Sequence, residues 1–172
     1  QGSKKAPTIS KLESDSAARQ KLLVQSWQQQ CQEKKAQAKG WRLWLEEEMG
    51  WQIPEGDFWQ DKKLQRRVAS RLDRWVSLMR MHGGSQAEMI AGAPEEVRDL
   101  FGKRVKLMAP LLKAWKTALK DENAVDFSGL IHQAINILDK GRFVSPWKHI
   151  LVDEFQDISP QRASLLAALR RQ

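Results

Sequence analysis

The fold is decided by residues 150–160, which read ILVDEFQDISP. Ile150–Val152 is an apolar run rich in branched side chains. It is too short for a helix and predicts a strand buried on both faces. An acidic loop follows, and then Ser159-Pro160 supplies an N-cap and a first-turn proline for a closing helix. A strand, an acidic loop and a helix in this order indicate a piece of an α/β domain.

Upstream of this segment the apolar spacing is helical as far as Lys120. Residues 13–39 predict a polar helix that ends at Gly40, and residues 41–49 predict a short helix that closes at Gly50. A helix from Pro94 keeps its phase through Pro110, which favours one kinked helix over two separate ones. We therefore expect a mainly α chain.

Two strips run along the helix predicted after residue 60. The apolar strip recurs at helical spacing and consists of Leu64, Val68, Leu72, Trp75 and Met79. At 100° per residue a basic strip adjoins it, consisting of Lys63, Arg67, Arg71 and Arg74. Burial of the first strip would leave the second at the edge of the protein.

A last helix is predicted between Asp126, an N-cap residue, and Gly141, a C-cap residue. Beyond it the chain reaches the strand and the acidic loop.

The positive charge is concentrated in the middle of the chain. The 172 residues carry 29 basic and 21 acidic side chains, of which residues 61–120 hold 14 and 6 and residues 121–172 hold 6 and 7. Nucleic acid is the expected anionic partner of such a segment, and a solvated helical surface is the alternative.

Several classes of protein are excluded by composition. The single cysteine, Cys31, rules out a disulfide scaffold and a zinc cluster, so a reducing cytoplasm is expected. No apolar run is long enough to cross a membrane, and no signal peptide is recognisable. The lack of an initiating methionine and the abrupt end at Gln172 favour an excised piece of a longer protein.

The chain has eight tryptophans and no tyrosine. Trp75 and Trp115 lie in phase with apolar stripes and are expected in the core. The remaining cluster lies beside an acidic segment that would repel DNA, so packing is expected there too: Trp41, Trp44, Trp51 and Trp59. The basic strip is therefore the better candidate for a DNA contact.

The acidic loop is the place where chemistry is expected, since ligands bind beyond the carboxyl ends of parallel strands. Of two adjacent carboxylates, one can help to hold Mg²⁺ while the other orients an attacking water. An acidic loop without a ligand is the alternative for the pair alone, because Asp121-Glu122 repeats it without the same context.

The whole run from Ile150 to Asp157 resembles the Walker B segment, or motif II, of superfamily 1 helicases of the UvrD/Rep type. Residues 125–130, VDFSGL, resemble the segment that returns the family's chain from its helical insertion to the motor domain. Residues 41–51, 71–75 and 141–162 are also similar, so the resemblance covers nearly the whole chain. It implies a basic helical 1B-type subdomain at residues 1–121, followed at 122–172 by part of a RecA-like motor domain, 1A.

The resemblance also implies roles in binding ATP and Mg²⁺. Asp153 would help to coordinate the metal, and Glu154 would be the catalytic base. Gln156 and Asp157 would tie the loop to neighbouring motifs, and Phe155 would pack beneath it.

This sequence departs from the family pattern at two positions of the motif. Ile158 stands where threonine is common, and Arg162 stands where glutamine is common. A phosphate-binding loop is also missing, because Gly102-Lys103, the nearest candidate, lacks the first glycine and the following serine or threonine. We therefore expect the isolated chain neither to hydrolyse ATP nor to unwind DNA.

The leading hypothesis is a piece of an ATP-dependent DNA helicase whose partner is DNA, single-stranded or at a duplex junction. The 3′ to 5′ polarity is implied by the family alone. One alternative is a self-standing basic helical module that binds nucleic acid without ATPase activity. The other is a helical bundle whose positive face binds an acidic protein.

Overall fold

The helices begin and end largely at the caps that the sequence supplies. A computed structural model describes residues 8–50 and 52–171. Its helices are α1 (Lys11–Ser14), α2 (Ser16–Glu33), α3 (Lys35–Met49), α4 (Lys62–His82), α5 (Gln86–Ala91), α6 (Glu95–Asp121), α7 (Phe127–Asp139) and α8 (Pro160–Arg170). Two 3₁₀ turns cover Phe58–Gln60 and Phe155–Asp157. The mainly α prediction is confirmed, and Trp51 lies outside the described residues.

The core lies where α2, α3, α4 and α6 meet, and we call these four helices the helical body. Its largest fully buried side chains are Trp27, Trp41, Trp115, Leu23, Leu45, Leu72, Met108 and Leu111. The apolar strip of α4 faces this core as predicted, with one exception. Trp75 is only half-buried and packs at the edge of the core, so its predicted place inside the core was wrong.

The predicted single helix through Pro110 is confirmed, because α6 runs unbroken from Glu95 to Asp121. Pro94 stands immediately before its first residue, and two glutamates occupy the first turn near the positive end of the helix dipole.

The first long helix does not end at Gly40 as predicted. The chain breaks instead at Lys34, whose φ of −137° and ψ of 106° are extended, and Gly40 lies inside α3. A Cβ at Gly40 would stand 3.2 Å from Leu107 Cδ1, so this glycine permits close packing of α3 on α6. Gly50, by contrast, caps α3 as predicted, with a φ of 67°.

A short parallel sheet joins the segments on either side of the helical body. Strand β1 (Thr8–Ile9) pairs with β2 (Ala124–Val125), with Thr8 opposite Ala124 and Ile9 opposite Val125. The Ser10 amide continues the ladder by donating to the Val125 carbonyl at 2.9 Å. The chain therefore runs into and out of the body side by side.

A buried charged cluster, which we call the joint, holds the end of α4 to the start of α7. Arg80 Nε lies 2.8 Å from Asp126 Oδ2, and Arg80 also forms an ion pair with Glu13. Trp115 Nε1 donates to Asp126 Oδ2 at 2.7 Å, and the Arg80 guanidinium lies 4.4 Å from the Trp115 ring centroid. Asp126 is also the predicted N-cap of α7, since its Oδ1 accepts from the Gly129 amide.

The predicted buried strand at Ile150–Val152 is not formed. These residues have no regular secondary structure, and their exposed fractions are 41%, 95% and 39%. A parallel strand needs a hydrogen-bonded neighbour, and no other strand of the described residues lies beside this segment. The closing helix that follows is confirmed, with Ser159 as its N-cap and Pro160 in its first turn.

Candidate functional site: the acidic loop and the basic strip

The acidic loop, Asp153–Asp157, is a tight turn held by its own hydrogen bonds. Glu154 adopts the left-handed conformation, with φ and ψ both 48°, and this starts the 3₁₀ turn. Asp153 Oδ1 accepts from the Glu154 amide at 2.9 Å, and the Asp157 amide donates to the Glu154 carbonyl at 2.9 Å. Gln156 Nε2 donates to Glu154 Oε2. The side chains of Asp153, Glu154 and Gln156 are thereby gathered in one turn.

All four predicted site residues of this loop are exposed: Asp153, Glu154, Gln156 and Asp157. The Phe155 side chain is 65% exposed, so the packing beneath the loop that the resemblance implied is absent here. Carboxylate oxygens are the ligands that Mg²⁺ prefers, and it commonly takes only one or two of them alongside water and phosphate oxygens. The chemistry of Asp153 and Glu154 fits that arrangement. Among the described residues no group of three or more metal-binding side chains occurs.

The helix after the loop is pinned by Gln161, a residue that sequence reasoning missed. Its side chain is buried, and Nε2 donates to the Ser128 carbonyl in α7 at 2.7 Å. A Cβ at Gly83 would lie 3.1 Å from Gln161 Cγ, so the end of α4 closely approaches the same side chain. The pattern signalled Gly83 as a helix end, but no local feature signalled its contact with Gln161.

The basic strip lies on the solvent side of α4 as the helical phase predicted. Lys63, Arg67 and Arg74 are exposed, and Arg71 is half-buried with Nη1 donating to the Arg67 carbonyl at 3.2 Å. The acidic loop and the strip are separate surfaces. They are linked through α4, because the helix that carries the strip ends at the joint and at Gln161.

The rejected phosphate-loop candidate lies inside α6. Gly102 is buried with a Cβ position 3.4 Å from Ile90 Cγ2, and Lys103 Nζ pairs with Asp99 at 2.7 Å. A phosphate loop must present free backbone amides, and those of a helix interior are already bonded. The structure therefore agrees with the failed motif.

The lone thiol of Cys31 is buried in the body, and this burial raises its pKa to about 12. A thiol with such a pKa stays protonated at neutral pH and is a poor nucleophile.

In the part of the chain that the structure describes, no helix is long and apolar enough to cross a bilayer.

These features define the class of protein. The chain belongs to the family described as UvrD/REP helicase N-terminal domain, whose model matches residues 4–172. The predicted resemblance to UvrD/Rep helicases is thereby confirmed.

Individual relatives agree with this family. DNA helicase IV of Escherichia coli (strain K12) is 80% identical over 172 residues, which is 100% of this chain and 25% of that protein. An ATP-dependent helicase/nuclease of Desulfitobacterium hafniense (strain Y51) is 29% identical over 82 residues, or 43% of this chain and 6% of that protein. No solved structure matches the chain. The chain thus spans about a quarter of the length of the E. coli relative.

Proposed function

We propose that this chain is part of an ATP-dependent DNA helicase that couples ATP hydrolysis to unwinding with 3′ to 5′ polarity. The observation that carries the proposal is the acidic loop, whose sequence has the motif II pattern in a chain that matches the helicase family over residues 4–172. The 80% identity to a protein named DNA helicase IV supports the same activity. The polarity rests on the family resemblance.

We assign residues 1–121 to a 1B-type subdomain and residues 122–172 to part of motor domain 1A. The parallel pairing of β1 with β2 supports this division, because it places the two connections of the helical body next to each other. Adjacent connections are what an insertion into another domain requires. The contact of α7 with α8 supports the second unit.

In this proposal the acidic loop contributes one wall of the ATP site. Asp153 would hold Mg²⁺, which when bound offsets the phosphate charge, and Glu154 would accept the proton of the attacking water. The hydrogen bond from Gln156 Nε2 fixes the orientation of the Glu154 carboxylate. Asp157, exposed at the end of the turn, is free to contact neighbouring motifs.

The test is ATP hydrolysis by the full-length protein with and without single-stranded DNA. Glu154→Gln should lower kcat by about 10²- to 10⁴-fold, the usual contribution of a general base. Asp121→Asn is the matched control, because it alters the chain's other Asp-Glu pair at an exposed position outside the loop. Unchanged kcat in Glu154→Gln would refute the assignment.

The isolated 172-residue chain should show no ATPase activity, because the described residues lack a phosphate loop. Activity in the purified chain that Glu154→Gln abolishes would contradict this expectation.

The basic strip is proposed to contact the DNA backbone, single-stranded or at a duplex junction. The double charge reversal Arg67→Glu/Arg71→Glu should weaken binding and flatten its salt dependence, by about 0.7 in log–log slope for each single-strand phosphate that the variant no longer neutralises. Lys113→Glu/Lys116→Glu makes the same charge change at exposed positions of α6 and should have a smaller effect. Equal effects would reduce the strip to a solvated surface.

A second candidate is a basic helical module that binds nucleic acid without ATPase activity. The observation that favours it is the closed core of the helical body, which carries the strip without needing the acidic loop. Wild-type kcat in full-length Glu154→Gln, together with loss of DNA binding in Arg67→Glu/Arg71→Glu, would select this alternative.

A further inference from the structure

A groove opens beside the basic strip, between α4, α6 and the end of α3. Its volume is about 660 Å³, within the roughly 300–1,000 Å³ typical of sites for small organic ligands. It is lined by Glu48, Ser70, Arg71, Arg74, Trp75, Leu78 and Arg104. The lining therefore combines a tryptophan and an apolar side chain with three arginines and one acid.

Trp75 supplies an aromatic surface in this groove. The side chain is in phase with the buried stripe of α4 but remains only half-buried. The Phe101 ring backs it at a centroid distance of 6.4 Å and an interplanar angle of 34°. Leu78, 48% exposed, lies one turn further along α4. An indole that is fixed from behind and open to a groove is a suitable platform for a flat ring.

The charges in the groove favour an anion beside that platform. Arg71 and Arg74 extend the basic strip into it from α4, and Arg104 reaches it from α6. Arg104 Nη2 lies 3.2 Å from Glu47 Oε2, whereas its buried Nε has no hydrogen-bond partner among the described residues. Glu48 is the single acid of the lining. Three guanidinium groups against one carboxylate complement a phosphate.

We propose that this groove binds one nucleotide of single-stranded DNA, with the base against Trp75 and Leu78 and the flanking phosphates at Arg71 and Arg74. The inference rests on the proposed DNA contact of the basic strip and adds the form of DNA that it takes. Bases in a duplex are already stacked and paired, so only an unpaired base reaches the indole. The strip holds the backbone, and the groove selects single strands.

The test separates the base from the backbone. The chain is titrated with labelled oligo-dT and with an abasic oligonucleotide of the same length, which keeps the phosphates but has no bases. The wild type should prefer oligo-dT by roughly 5- to 150-fold, the equivalent of one stacked base. Trp75→Leu should abolish this preference and leave abasic binding unchanged, and Trp75→Phe should retain most of it.

Trp59→Leu is the matched control, because Trp59 is another half-buried tryptophan but lies outside the groove. It should keep the wild-type preference. Ultraviolet crosslinking of the unaltered chain to a bromodeoxyuridine oligonucleotide gives an answer even where Trp75→Leu fails to fold. Labelling at Trp75 supports the proposal, and labelling confined to other residues overturns it.

The outcomes also separate this inference from the proposed function. Equal binding of the two oligonucleotides by the wild type, both weakened by Arg67→Glu/Arg71→Glu, overturns the groove and keeps the strip. Binding of neither oligonucleotide overturns both.

Discussion

The helical body and the C-terminal segment, residues 127–171, differ in how much of their apolar surface is covered. In the body, Trp27, Trp41 and Trp115 are fully buried. In the C-terminal segment, Val144 and Leu151 are 81% and 95% exposed, and these are joined by a set with smaller exposed fractions: Phe127, Trp147 and Phe155. The amphipathic stripes of the body meet one another, whereas no described residue covers those of the segment. The body's stability is therefore its own, and the segment depends on its contacts with the body.

The largest contrast is expected from one substitution made in each region. Trp27→Ala should lower the free energy of unfolding by about 3–5 kcal/mol, because it leaves a large cavity in the core. Trp147→Ala should change it by less than about 0.5 kcal/mol, because the ring is 59% exposed. Urea denaturation followed by circular dichroism measures both. Similar losses would show that the two regions do not differ as described.

The joint should cost nearly as much to break as the core. Asp126→Ala leaves the buried Arg80 with Glu13 alone and removes the acceptor of Trp115 Nε1, so a loss of about 3 kcal/mol is expected. Asp139→Ala breaks an exposed ion pair with Arg171 inside the C-terminal segment and should cost at most about 1 kcal/mol. Hydrogen exchange should accelerate in α7 with Asp126→Ala. Unchanged exchange there would mean that the joint does not hold the segment.

Two glycines with similar backbones test the contact between the regions. Gly50 and Gly83 both cap a helix with positive φ, 67° and 73°, and alanine at either position should cost about 1 kcal/mol of strain. Nothing lies within 4 Å of a Cβ at Gly50, whereas a Cβ at Gly83 would meet Gln161. We expect Gly83→Ala to cost about 2 kcal/mol and to loosen α8. Equal losses in urea denaturation would show that Gln161 yields freely.

The smallest effect concerns the buried thiol and high pH. Because the pKa of Cys31 is raised to about 12, its contribution to stability is complete below the unfolded pKa of about 8.5 and is lost as pH rises toward 12. At pH 9.5 the loss is about 1.4 kcal/mol. Cys31→Ala should remove this part of the pH dependence. A cysteine at exposed Val144 should react with a thiol reagent at once, whereas Cys31 waits for unfolding.

The predictable parts of the fold are those set by neighbours along the chain. Periodicity gave the stripe of α4 and the continuity of α6, and cap chemistry gave Asp126 and Gly50. The break at Lys34 has neither proline nor glycine, and β1 and β2 are two-residue strands more than 100 positions apart. Such features arise from tertiary contacts, which a local pattern does not contain.

The residues of the acidic loop were likewise predictable, and their setting was not. The motif identifies Asp153 and Glu154, but the left-handed backbone at Glu154 and its bond with Gln156 belong to the folded turn. The strand expected at Ile150–Val152 needs hydrogen-bonded neighbours that the described residues do not supply. Gln161 and Arg80 went unnoticed because their partners lie far away in sequence.

One consequence follows from the length of α4. Its 21 residues span about 31 Å, with the basic strip along the first four turns and the contact with Gln161 beside the other end. With that end as the pivot, a tilt of about 10° swings Lys63 through about 5 Å. The helix has the proportions of a lever, so a sub-ångström shift at the first turn after the acidic loop is magnified several-fold at the far tip.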